Sequence, residues 1–169
     1  EGMQAMADYY AAHGVTSYVA TTMTLKEEVL TPAMHAIRDF KRQGGAKCAG
    51  IHLEGPFLGY AKRGAQAADN LHKPDPELFD RLNEASGGMV RLVTVACEEE
   101  GGMDFVANVS KKCTVSLGHT SATYEQAMEA FARGASHVTH LFNGMDGLHH
   151  RKPGILAAAL DAGASVELI

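Results

Sequence analysis

Along this chain, short apolar runs take turns with longer stretches whose apolar residues recur at helical spacing. Met3 to Ala12 predicts a helix. Val15 to Ala20, "VTSYVA", is rich in β-branched residues and predicts a strand. From Leu25 to Phe40 the apolar Leu30, Met34 and Ile37 share one helical face. Ala49 to Glu54 is the next strand, and Pro76 to Asn83 is a short helix with proline in its first turn. Strands at Met89 to Ala96 and Thr114 to Gly118 flank a helix at Asp104 to Val109. Thr123 to Arg133 predicts an amphipathic helix capped by Thr123 and closed by Gly134. His137 to Phe142, "HVTHLF", is a strand, Ile155 to Ala162 a helix, and Val166 to Ile169 a last strand.

Six strands with helices between them imply parallel pairing through helical crossovers. Two architectures fit: an open doubly wound sheet, or part of a (β/α)8 barrel. A full barrel needs about 250 residues, so this chain holds about five and a half units of one. The irregular stretch from Gly59 to Pro76 is long enough for a functional loop.

In either architecture ligands gather at the C-terminal ends of the strands. Glu54 ends its strand just before Gly55-Pro56. His119 ends "TVSLG", and His140 lies near the end of "HVTHLF" with Asn143 close behind. Alternation along a strand places Leu117 beneath His119 and Val138 beneath His140. A carboxylate and two imidazoles from separate strands suit a divalent metal with a position left for water. Taken alone, each strand histidine, His52 and His137 included, reads first as a hydrogen-bonded core residue. Glu54 is harder to explain that way, because a carboxylate among apolar residues is expensive unless paired or metal-bound. His52 shares the face of Glu54 one layer deeper and reads as core or supporting. Downstream, "NGMDGLHHRKPG" gathers Asn143, His149, His150, Arg151 and Lys152. It is either a solvated loop or an anion site in which Arg151 grips a phosphate bidentately. Lys62 and Arg63 in "AKRGAQ" read as solvated.

Composition narrows the classes. The chain has 169 residues, 46% hydrophobic and 21% charged, which is globular usage. A net charge of -5 argues against a general nucleic-acid binder. No apolar run approaches the about 18 residues of a membrane span. The N-terminus does not read as a signal peptide, and starting on Glu1 it reads as cut from a longer chain. Cys48, Cys97 and Cys113, odd in number and without a CxxC, suit buried thiols in a reducing compartment, and the expected location is the cytoplasm.

Four motifs in order, "HLEGPF" (52–57), "LGHTSAT" (117–123), "THLFNGM" (139–145) and "HHRKPG" (149–154), resemble the N-acetylglucosamine-6-phosphate deacetylases of the amidohydrolase superfamily. "GVTSYVAT" (14–21) is similar to the same family. The resemblance implies a metal-dependent TIM-barrel hydrolase that releases acetate from N-acetylglucosamine 6-phosphate in amino-sugar catabolism. It implies Glu54, His119 and His140 as metal ligands, with zinc, or alternatively iron, as the ion. It implies Ala65, Gln66, Asn143, Gly144 and Arg151 as substrate contacts, and a homodimer. Where the family has alanine, serine and glutamate, this chain has Gly144, Thr120 and Lys152. The family's general acid/base aspartate has no match here, since Asp146 and Asp161 lie in the wrong segments, so it is expected beyond Ile169. On this reading residues 1–169 are a fragment of the barrel domain without the first strand, the last strand or the family's small β-sandwich, and inactive alone. Other readings are a non-catalytic sugar-phosphate or metal-binding fragment, an amidohydrolase acting on a cyclic amide, or an open α/β domain with structural histidines.

Overall fold

A computed structural model describes residues 2–169. Helix α1 (Gly2–Ala12) leads into β1 (Ser17–Thr22), followed by α2 (Glu27–Arg38) and β2 (Lys47–Glu54). After β2 the chain makes two short 3-10 turns, at Tyr60–Lys62 and Ala68–Asn70. It then runs through α3 (Pro76–Ala85), β3 (Val90–Val95), α4 (Gly102–Val109), β4 (Thr114–Leu117), α5 (Tyr124–Ala132), β5 (His137–Val138), α6 (Gly154–Asp161) and β6 (Ser165–Val166). All five strand pairings are parallel, and the sheet order β1-β2-β3-β4-β5-β6 is the chain order. The sheet curls into part of a TIM-type barrel, which is the second of the two expected architectures.

Local chemistry explains the elements. Asp75 caps α3 by accepting from Glu77 N–H at 2.9 Å, with Pro76 in the first turn, where no donor is missed. Thr123 and Gln126 form a complete capping box at the start of α5. Ile51 and Leu53 point from one face of β2 into an apolar cluster with Leu30 and Met34 of α2, Phe79 of α3 and Phe105 of α4. Phe105 sits between Phe57 and Phe79, with ring centroids 4.7 and 6.1 Å away.

Two expectations change. The "HVTHLF" strand is only two residues long, because His140 (φ 36°) and Phe142 (φ 78°) adopt left-handed backbone that no strand continues through. The last strand starts at Ser165 and ends at Val166, short of Ile169. The side chains expected beneath the histidines also differ. His119 lies in a left-handed turn (φ 49°) past the end of β4, so alternation no longer links it to Leu117. Leu117 and Val138 join the apolar cluster instead. On the other face runs a buried belt of polar groups. His52 Nε2 meets Thr94 Oγ1 at 2.7 Å, Thr94 Oγ1 meets Thr139 Oγ1 at 2.8 Å, and Thr139 Oγ1 meets Ser116 Oγ at 2.6 Å. Ser116 Oγ continues to His137 Nδ1 at 2.9 Å. His52 and His137 are thus hydrogen-bonded within the sheet, and burial lowers the pKa of both.

Candidate metal centre

Glu54 is the last residue of β2, and the chain leaves it through Gly55 and a cis peptide to Pro56. Gly55 has φ +91°, and a Cβ there would lie 2.1 Å from Thr24 Oγ1, so only glycine lets the β1–α2 loop approach this closely. Thr24 Oγ1 donates to the Glu54 carbonyl at 3.3 Å. Gln66, buried on the loop after β2, accepts from Thr24 N–H at 2.9 Å and donates through Nε2 to Glu54 Oε1 at 3.4 Å. Glu54 is therefore held at its carbonyl by the β1–α2 loop and at its side chain by Gln66, which that loop in turn fixes.

The two histidines arrive from β4 and β5, each just past its strand. His119 Nδ1 donates to the Lys62 carbonyl at 2.8 Å, and His140 Nδ1 donates to the Asn143 carbonyl at 3.1 Å. A carbonyl only accepts, so each neutral ring must keep its proton on Nδ1 and turn the Nε2 lone pair inward. Those Nε2 atoms lie 3.0 Å apart, and both face Glu54 Oε1, at 2.9 Å from His119 and 3.6 Å from His140. His119 first and His140 second hold the Glu54 carboxyl well below the usual carboxylate range, against the effect of burial. Glu54 in turn raises His140. Three acceptors crowd one point, and such an arrangement is stable only around positive charge, a shared proton or a metal cation. The three ligand atoms lie within 4.8 Å of one another. Histidine metal ligands typically have the other ring nitrogen tied to a carbonyl or carboxylate, as both rings do here.

The remaining sequence candidates divide. Gly144 (φ +60°) is packed against both rings: a Cβ would lie 3.1 Å from His119 Nδ1 and 3.4 Å from His140 Cε1. Asn143 contributes its carbonyl to His140, while its Nδ2 donates to the Leu141 carbonyl. Ala65 is exposed on the loop after β2. The Gln66 amide is turned toward Glu54 and Thr24. Arg151 is exposed and lines a cleft of about 490 Å³ with Ser121, Tyr124, Asp146 and His149, and none of the trio is among the residues lining it. Lys62 is not free in solvent: it pairs with Asp146 at 2.5 Å and so joins the two rim loops, and Arg63 stacks over the Tyr60 ring at 4.3 Å. Sequence reasoning passes over Glu98, although it stands just past the end of β3 on the same rim, where the strand-end rule would look.

A parallel sheet curled as part of a barrel, with a carboxylate and two imidazoles converging at its C-terminal rim, defines an α/β barrel with a candidate divalent-metal centre. No protein-family model matches the chain. Over 161 residues it is 35% identical to the N-acetylglucosamine-6-phosphate deacetylase of Bacillus subtilis, covering 92% of this chain and 41% of that protein. It is 34% identical over 168 residues to the N-acetylgalactosamine-6-phosphate deacetylase of Escherichia coli O157:H7, covering 97% of this chain and 45% of that protein. A mutant of the Mycobacterium smegmatis N-acetyl-D-glucosamine-6-phosphate deacetylase in complex with N-acetyl-D-glucosamine-6-phosphate superposes with a TM-score of 0.86 at 35% identity, over 92% of this chain and 41% of that one. The chain thus spans under half the length of these relatives, and over that segment it is a homologue of the N-acetylglucosamine-6-phosphate deacetylases.

Proposed function

We propose that this chain is the central barrel segment of a metal-dependent deacetylase that converts N-acetylglucosamine 6-phosphate to glucosamine 6-phosphate and acetate. The observation that carries the reading is the face-to-face approach of two histidine lone pairs beside a carboxylate, each ring fixed by a backbone carbonyl. Glu54, His119 and His140 would hold the ion, with zinc favoured and iron the alternative. A divalent ion held there would supply a Lewis acid for a carbonyl oxygen and would make water more acidic, toward a pKa of about 7. Gln66 keeps Glu54 aimed at that point, and the carbonyls of Lys62 and Asn143 keep both imidazoles in the ligating tautomer. The backbone at Ala65, Asn143 and Gly144 would border the sugar. Arg151 would take the phosphate, so that binding energy at the 6-position orients the amide. The proton to the leaving amine would come from an aspartate beyond Ile169, in a cytoplasmic homodimer that includes this barrel segment. The relative from Escherichia coli O157:H7, named for the galacto epimer, makes the 4-hydroxyl the group to vary in an assay.

The test is acetate release by the whole protein from N-acetylglucosamine 6-phosphate, its galacto epimer and the unphosphorylated sugar, with zinc content measured in parallel. We expect turnover of the glucosamine 6-phosphate substrate, little on the unphosphorylated sugar, and loss of both zinc and activity in His119→Ala and His140→Ala. Equal rates with and without the phosphate, or unchanged zinc in both variants, would refute the reading.

A further inference from the structure

One acidic side chain outside the donor set reaches into the turn that carries His119. Glu98 is partly buried just past the C-terminal end of β3, a strand that supplies none of the three converging groups. One of its carboxylate oxygens accepts the Thr120 hydroxyl proton, and the other accepts the Ser121 N–H at 2.5 Å. Thr120 is fully buried, and its other polar contacts are also made. Its Oγ1 accepts from Ala122 N–H at 3.0 Å, and its own N–H donates to the Gly144 carbonyl at 3.1 Å. Gly144 belongs to the turn that carries His140. A single carboxylate just past β3 is therefore linked through one residue to both histidine turns.

The turn needs such a hold. His119 has φ 49°, a conformation that a residue with a Cβ keeps only where its surroundings over-determine it. Hydrogen bonds to a carboxylate are roughly twice as strong as neutral ones. Here two of them grip the two residues immediately after His119. The His119 carbonyl is held from the other side by Gly59 N–H at 2.9 Å.

We propose that Glu98 is a positioning residue for the metal centre, acting through the Thr120 turn on His119 and through the Thr120–Gly144 bond on His140. The inference rests on the metal reading of the trio given above. A purely structural carboxylate would change thermal stability and leave ion affinity alone, so affinity is the discriminating readout. Zinc affinity is measured by competition with a chromophoric chelator, and the ligand field from the d–d absorption of the cobalt-loaded protein. Glu98→Ala is expected to weaken zinc binding about 10- to 100-fold, the usual effect of removing a partner that orients a ligand. Glu98→Gln, which can still accept from Ser121 N–H and meet Thr120 Oγ1 with its amide, is expected to recover most of that loss. Glu98→Asp keeps the charge but retracts it by one methylene. It should stay weak, and it serves in place of Glu98→Ala if that variant does not fold. Glu100→Ala, whose carboxylate pairs with Lys73 away from the turn, is the control for charge and is expected to bind as wild type. Folded Glu98→Ala or Glu98→Asp protein with wild-type affinity and spectrum overturns the proposal, as does an equal loss in Glu100→Ala. If His119→Ala binds zinc as well as wild type, the metal reading itself falls and this inference falls with it.

Discussion

His119 and His140 turn their Nε2 atoms toward one another at 3.0 Å with ring planes 85° apart. Each ring is fixed from behind by a backbone carbonyl, Lys62 for one and Asn143 for the other. The carbonyls come from different loops, so the pair is set by the loops after β2 and β5 together. The aim of both rings therefore depends on how closely those loops can pack.

Gly144 is a point where those loops meet closely. A Cβ there would meet His119 Nδ1 at 3.1 Å and the Lys62 carbonyl at 3.4 Å, the two ends of the bond that orients His119. If the trio holds a divalent metal as proposed, Gly144→Val should weaken its binding at least about tenfold, as other losses of ligand orientation do. Gly144→Ala should have a smaller effect, since it carries the same left-handed backbone strain at φ +60° but only a single methyl to press on the rings. Chelator competition compares the two; wild-type affinity in Gly144→Val would show that the rings have room to spare.

Arg151 stands in a cleft that none of the trio lines, so on the deacetylase reading proposed above its loss should separate binding from chemistry. In the whole protein, Arg151→Ala should raise KM for the 6-phosphate substrate roughly tenfold or more while kcat changes little, the signature of lost uniform binding. Steady-state kinetics on the phosphorylated and plain sugars decide it. A fall in kcat at constant KM would place the arginine at the reacting bond instead.

Phe105 is fully buried between Phe57 and Phe79. Phe105→Ala removes the shared ring of that cluster and should destabilise the fold by about 3–5 kcal/mol, read as a shift in the denaturant midpoint. A shift worth under about 1 kcal/mol, no more than an ordinary surface change, would mean that the helices close over the gap.

Burial pushes the thiols of Cys97 and Cys113 up to about 12. A thiol pKa raised in the fold favours the native state below the ordinary value of about 8.5, and that advantage is lost as pH climbs toward the folded value. At pH 8 both groups are almost entirely protonated, and the thiolate is the species that reacts. Iodoacetamide should leave both unmodified in native protein at pH 8, with labelling rising at strongly alkaline pH or on unfolding. Mass spectrometry of tryptic peptides reports each site. Rapid native labelling of Cys97 at pH 8 would contradict its burial.

The alternation of strands and helices was legible because side-chain polarity follows backbone period, as with the β2 strand and the Thr123 cap of α5. The strand-end rule pointed to Glu54, His119 and His140, which the fold brings within 4.8 Å of one another. What polarity does not report is φ. "HVTHLF" alternates like a strand, yet the chain turns left-handed at His140 and Phe142, and the latter is 66% exposed. Nor do short-range patterns report partners far along the chain. The Thr94 that satisfies His52 is 42 residues away, and the Glu98 that grips Thr120 is 22 residues before it. The inward face of the sheet was expected to be apolar under the histidines, but Thr94, Ser116 and Thr139 satisfy one another there, so polarity in sequence did not mean exposure.

Because the sheet order is the chain order, every strand lies beside the one made just before it, and the fold is a ribbon coiled from one end. Its backbone ladders join only immediate neighbours. Glu54 and His119, 65 residues apart, meet across β3, a strand that neither belongs to. An ion shared by Glu54, His119 and His140 would act as a hoop around the barrel rather than a rivet between two strands. Its binding free energy would go into the curl of the whole sheet, and its removal would loosen the hoop before parting any strand from its neighbour.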